Sequence, residues 1–130
     1  MKEIIIIVLV IIIVVTVGNI TQNYLEKTSN EILEKLETLK LEIKNTSKNN
    51  NIDIINDYVE QIISNWKEIN KNWSMLVIHE ELDNIEISLL ELKASIENQN
   101  IEDSLKEIEK SMFLIGHIKE KENFQIKNIF

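Results

Sequence analysis

The chain has 130 residues, with 22 acidic and 14 basic side chains, a formal net charge of −8, two Gly, no Pro and no Cys. That size fits one domain, and the missing Cys excludes a disulfide framework, thiol catalysis and a thiolate zinc site. Every basic residue is Lys, so the acidic, Arg-free chain lacks the basic patches and guanine-reading side chains of a nucleic-acid binder, and no nucleic-acid partner is expected.

Residues Ile4 to Val15 are an unbroken apolar run, extended through Thr16, Val17, Gly18 and Asn19 to Ile20. Those 17 residues make about 25 Å of helix, the short end of what crosses a bilayer core of about 30 Å. A cleaved signal peptide is the main rival, with Thr16 and Gly18 as weak small residues before a cut. Against it, Lys2 stands beside Glu3, no A-x-A pattern follows, and helical periodicity resumes by Tyr24 without a spacer. The segment is therefore expected to remain as a signal anchor over residues 1–20, entering the membrane through 4–20. Lys2 and the α-amino group precede the span and Lys27 is the first Lys after it, a small margin for the positive-inside rule. The expected orientation puts the N-terminus in the cytoplasm and residues 21–130 outside the cell membrane. With three residues before the span, no output domain is expected on the other side, so any signalling needs a partner.

Beyond the span the apolar period alternates between four and three. Leu25, Ser29, Ile32, Leu36, Leu39 and Ile43 form a first coiled-coil-like seam, and Asn45 to Asn51 a polar break. The second seam is Ile55, Val59, Ile62, Trp66, Ile69, Trp73 and Leu76. Its next positions, Glu80 and Asp83, are acidic, and the stripe reappears as Leu82, Ile85, Leu89, Leu92 and Ile96. After Asn98-Gln99-Asn100, with Asn100 as N-cap and Asp103 in the first turn, the last seam is Ile101, Leu105, Ile108, Met112, Ile115 and Ile118. A frayed tail follows from Phe124 to Phe130. The expected fold is all-α: an N-terminal transmembrane helix continuing into an antiparallel bundle over 21–130. Its three long helices run about 21–45, 52–98 and 101–123, or there are four if the middle one breaks near 78–84.

Length sharpens the middle of that picture. Residues 20–45 rise about 39 Å, so a helix returning straight back meets the membrane surface near Leu76 to His79. It cannot enter, because Glu80, Glu81, Asp83, Glu86 and Glu91 would each cost several kcal/mol in lipid. A break near 78–84, a hinge near Thr28–Asn30 that tilts the domain, and a splayed second helix all meet the constraint. The favoured form is a continuous 52–98 helix bent near His79 on a tilted stalk.

Five residues are candidates for an interaction or polar site: Trp66, Trp73, His79, Asp83 and His117. The tryptophans are seven apart on one helix face. They would be an exposed docking pair if the face were free, but their seam positions favour the core. His79 has Asp83 four residues on, and His117 has Glu120 three residues on. The Glu-x-x-His pattern of di-metal bundles is absent, since positions 76 and 114 are Leu, and no metal or cofactor is expected.

The anchor together with Trp66-x6-Trp73-x-x-Leu76-x-x-His79-x-Glu81-Leu82-Asp83-x-Ile85, His117-Ile118-x-Glu120-x-Glu122 and Asn128-Ile129-Phe130 resembles an uncharacterised family of small single-span proteins from spore-forming bacteria, a domain of unknown function. The resemblance covers nearly the whole chain. It implies an all-α, membrane-anchored protein with no assigned activity.

No arrangement of nucleophile, base and orienting group is recognisable, so the chain is not expected to be an enzyme. The leading expectation is a membrane-anchored, non-enzymatic interaction or scaffold module whose partner is another membrane protein. The alternative is an extracytoplasmic domain that senses a ligand or metal at His79 and His117 and acts through a membrane partner. Seams of this period also suit a homo-oligomer.

Overall fold

The computed structural model describes the backbone of residues 1–49 and 52–129 and the side chains of residues 1–46 and 52–122. Within them the chain forms α1 (Lys2–Asn49), α2 (Ile52–Trp73), α3 (His79–Glu97) and α4 (Ile101–Ile129). α1 packs on α2 and α4, and α3 packs on α2 and α4, so the helices form a four-membered ring in chain order. The all-α bundle expected from the periodicity is present, in its four-helix form.

α1 is one helix of 48 residues, about 72 Å long. Its first part has no polar period, and its large apolar side chains from Ile4 to Ile20 are exposed in the structure except the half-buried Val15. Thr16 donates its hydroxyl to the Ile12 carbonyl at 2.8 Å, so this polar group is satisfied within the helix. From Leu25 onward the helix turns one stripe inward: Leu25, Ser29, Ile32, Leu36, Leu39 and Ile43 are all buried. No break interrupts Thr28–Asn30, one of the three places where the length constraint could have been met, and the apolar part runs directly into the core-forming part. Helix continues through most of the expected Asn45–Asn51 break, ending at Asn49; positions 50 and 51 lie outside the described residues.

The single helix expected over 52–98 is two helices. α2 ends at Trp73, ahead of the 78–84 interval, and residues 74–78 form a turn. The seam explains why. Ile55 through Trp73 are buried, but the same stripe continued would bring Glu80 and Asp83 into the core, where an unpaired carboxylate costs several kcal/mol. Starting a new helix at His79 rotates the chain so that Leu82, Ile85, Leu89, Leu92 and Ile96 face inward and Asp83 faces out.

α4 follows the expected register only in part. Ile108, Ile115 and Ile118 are buried, but Ile101 is exposed and Leu105 and Met112 are half-buried. The innermost positions between them are Ser104 and Ser111. Ser111 donates to the Glu107 carbonyl at 2.8 Å, which leaves Ser88 of α3 to donate to Ser111 Oγ at 2.7 Å. Small hydroxylated residues at this contact let α3 and α4 approach while every buried hydroxyl stays paired. The helix also extends to Ile129, beyond the expected end at 123 and through most of the expected frayed tail; Phe130 lies outside the described residues.

The two described inter-helix turns differ in chemistry. Between α3 and α4, Asn100 N–H donates to Ser95 O at 3.0 Å and Gln99 N–H to Ile96 O at 2.9 Å, a Schellman closure with Gln99 in the left-handed region at φ 58°. Asn100 then caps α4, its Oδ1 accepting from Asp103 N–H at 3.1 Å, in the role expected of it. Between α2 and α3, the residue before the helix is Ile78, with no side-chain cap.

Candidate functional site

The five candidate residues separate into two environments. Trp66 and Trp73 are each 1% exposed, inside the core, with ring centroids 5.7 Å apart and planes at 84°, an edge-to-face pair. Their seam position, and not a docking role, determines where they lie. His79, Asp83 and His117 are exposed. His117 stacks on Phe113 on the outer side of α4, with centroids 6.1 Å apart and planes at 14°. The two indoles and the three polar groups therefore share no enclosed site. Among the described residues no group of three His, Asp or Glu side chains is placed to hold a metal ion.

The two indoles also differ from one another. Trp73 Nε1 donates to Thr28 Oγ1 at 2.9 Å, and Thr28 in turn donates to the Tyr24 carbonyl at 2.8 Å. One residue earlier in α2, Asn72 Nδ2 donates to the Tyr24 hydroxyl at 2.8 Å. The last turn of α2 is thus fastened to the Tyr24–Thr28 turn of α1, just beyond the apolar part. Trp66 Nε1, a turn or two deeper in the bundle, has no hydrogen-bond partner among the described residues. The sequence carried a trace of this fastening: Thr28 stands beside the seam residue Ser29, and both hydroxyls are buried.

Interhelical ion pairs brace the shaft of the bundle. Lys40 pairs with Glu109 across α1 and α4, Lys93 with Glu60 across α3 and α2, and Lys110 with Glu91 at 2.8 Å across α4 and α3. A hydrogen bond to the facing carboxylate raises the pKa of each of these lysines, and the Lys110 ammonium lowers that of Glu91. Nearer the apolar part of α1, Lys121 bonds Glu81 at 2.9 Å, and burial raises the neighbouring Glu122 carboxyl above the ordinary range. Lys119 reaches Asn30 at 2.7 Å, tying α4 to α1 at the same end.

At the opposite end, Ile43, Ile55, Ile96, Gln99, Asn100 and Ser104 help line a cavity of about 200 Å³. Sequence reasoning did not foresee it, because it forms where the ends of all four helices meet.

A family model described as a domain of unknown function, DUF4363, matches residues 19–129. The match starts where the apolar run ends and covers the bundle-forming part of the chain. No curated protein and no solved structure matches the chain.

Proposed function

The chain belongs to the DUF4363 family, a domain of unknown function, and from that premise we propose that it is a single-pass, membrane-anchored helical interaction module without catalytic activity. The observation that carries this reading is the uninterrupted α1. One helix holds a candidate membrane span at its N-terminal part and one wall of the bundle core at its C-terminal part. A rigid helix shared by both parts sets the height and rotation of the bundle relative to the bilayer, which suits a module that presents a surface to a neighbouring membrane protein. Exposed apolar side chains on the outer faces support it, notably Ile87 and Leu90, three residues apart on α3, and Phe113 on α4. In this reading the anchor is uncleaved, the N-terminus is cytoplasmic and the bundle lies outside.

Capture of the full chain from mild detergent should return a defined membrane protein. Repeated recovery of the chain alone counts against the interaction role. Full-length protein in the aqueous fraction without detergent ends the anchoring reading. Protease shaving of intact cells should remove the bundle, and survival of the C-terminal region reverses the orientation.

A further inference from the structure

The turn between α2 and α3 combines three properties that a water-facing loop rarely has. After Ser74 its sequence, Met75-Leu-Val-Ile78, is apolar. Met75 is 80% exposed, Ile78 61% and Leu76 37%, while Val77 between them is buried and pins the turn to the core. The residue in the N-cap position of α3 is Ile78, where Ser, Thr, Asp and Asn are strongly preferred because their oxygens accept from the free helix N–H groups.

The backbone N–H groups from Ser74 to Val77 are closed on the end of α2. Ser74 N–H donates to Asn70 O at 2.9 Å and Met75 N–H to Asn72 O at 3.3 Å. Leu76 and Val77 N–H both donate to Trp73 O at 2.8 Å. These four amides need no water, which lowers the penalty for placing residues 74–77 in a medium poor in hydrogen-bonding partners, and the uncapped first turn of α3 is left to the polar headgroups and water of the interfacial layer.

The bonds Trp73–Thr28 and Asn72–Tyr24 set the end of α2 level with residues 24–28 of α1. The turn then projects further toward the apolar part of α1, whose last large apolar residue, Ile20, is four residues, or about 6 Å, below Tyr24. The headgroup layer on each side of a bilayer is about 5–8 Å deep. With residues 4–20 in the hydrocarbon core, Met75, Leu76 and Ile78 fall within that layer.

We propose that Met75, Leu76 and Ile78 form an apolar foot that inserts into the interfacial layer of the same bilayer that holds α1, so that the bundle stands on the membrane at two points. The proposal rests on the anchoring reading. The two contacts are separated in sequence by more than 50 residues and joined by the hydrogen-bonded clasp of Tyr24, Thr28, Asn72 and Trp73. Two points of contact fix the bundle's tilt, which a single helix crossing the bilayer leaves free.

The chain has no Cys, so single-cysteine variants report single positions. Full-length M75C, I78C, N98C and I11C are labelled with an environment-sensitive fluorophore and reconstituted into phosphatidylcholine vesicles. The vesicles carry a quencher either on the headgroup or deep in the acyl chain, and circular dichroism verifies the fold of each variant. The headgroup quencher should remove most of the emission from positions 75 and 78 and spare position 98 at the opposite end. The deep quencher should act on position 11. Quenching at 11 with positions 75 and 78 no more affected than 98 overturns the foot and leaves the anchor standing. No quenching at 11 overturns the anchor and the foot together.

Discussion

The bundle reverses direction at its two ends by different means. At the end far from the apolar part of α1, the α3–α4 turn is closed by polar atoms: a Schellman pair of backbone bonds, Gln99 in the left-handed region, and the Asn100 cap on Asp103. At the near end, the α2–α3 turn has no side-chain cap, and its strength comes from the core: Trp73 against Trp66, Val77 buried, and the clasp to Tyr24 and Thr28. The contrast teaches that a turn is matched to its surroundings. A cap works by satisfying the first amides of a helix; at the near turn α3 starts without one, and packing and the bonds of residues 74–77 to the end of α2 hold the chain in place instead.

The comparison is broken most severely at Trp73. Trp73→Ala empties the anchor of the near turn and should cost about 3–5 kcal/mol in denaturant unfolding of the full chain in mild detergent, followed by circular dichroism. Thr28→Val keeps the shape of the clasp but leaves the buried Trp73 N–H without an acceptor. A loss of about 1–3 kcal/mol is expected, and a neutral result shows that packing alone holds this end. The far end should yield less. Asn100→Ala removes the cap and should cost about 1 kcal/mol.

Gln99→Gly should act in the opposite direction. Relief of the left-handed strain outweighs the greater freedom of Gly in the unfolded chain, for a gain of about 0.5–1 kcal/mol read as a higher melting temperature. The smallest effect is expected from pH. Lys40, Lys93 and Lys110 have folded pKa values raised above the ordinary 10.5 by their carboxylate partners. Their contribution is complete below 10.5 and is lost as pH rises through the raised values, so the melting temperature should decline slightly in that alkaline window. Glu109→Gln should flatten part of that decline by removing the partner of Lys40.

Periodicity made most of the helical architecture legible. The seams over 25–43 and 82–96 became buried stripes residue for residue, and the second did so from Ile55 to Trp73 but not at its expected last position, Leu76, which is exposed in the turn; an apolar side chain repeating every three to four residues has one way to leave water only while the helix lasts. The tryptophans went with their seam. α4 was less legible, since Ser104 and Ser111 are buried, Ser111 against Ser88 of α3, and a serine in a sequence does not announce burial. The turn at 74–78 was also hidden. It holds no Gly or Pro, and only the clash of registers at Glu80 and Asp83 signalled that the helix had to stop.

By itself, then, the amino-acid sequence determined that this chain is helical, where its apolar stripes lie, and that its first part has no polar face to show to water. Those properties are local: they depend on side chains a few residues apart along one helix. Tertiary structure decided where α2 yields to α3, which serines meet, and that Met75, Leu76 and Ile78 face outward on a level set by Tyr24 and Thr28. These depend on contacts between residues nearly 50 positions apart, and no period within one helix encodes the height at which its neighbour ends.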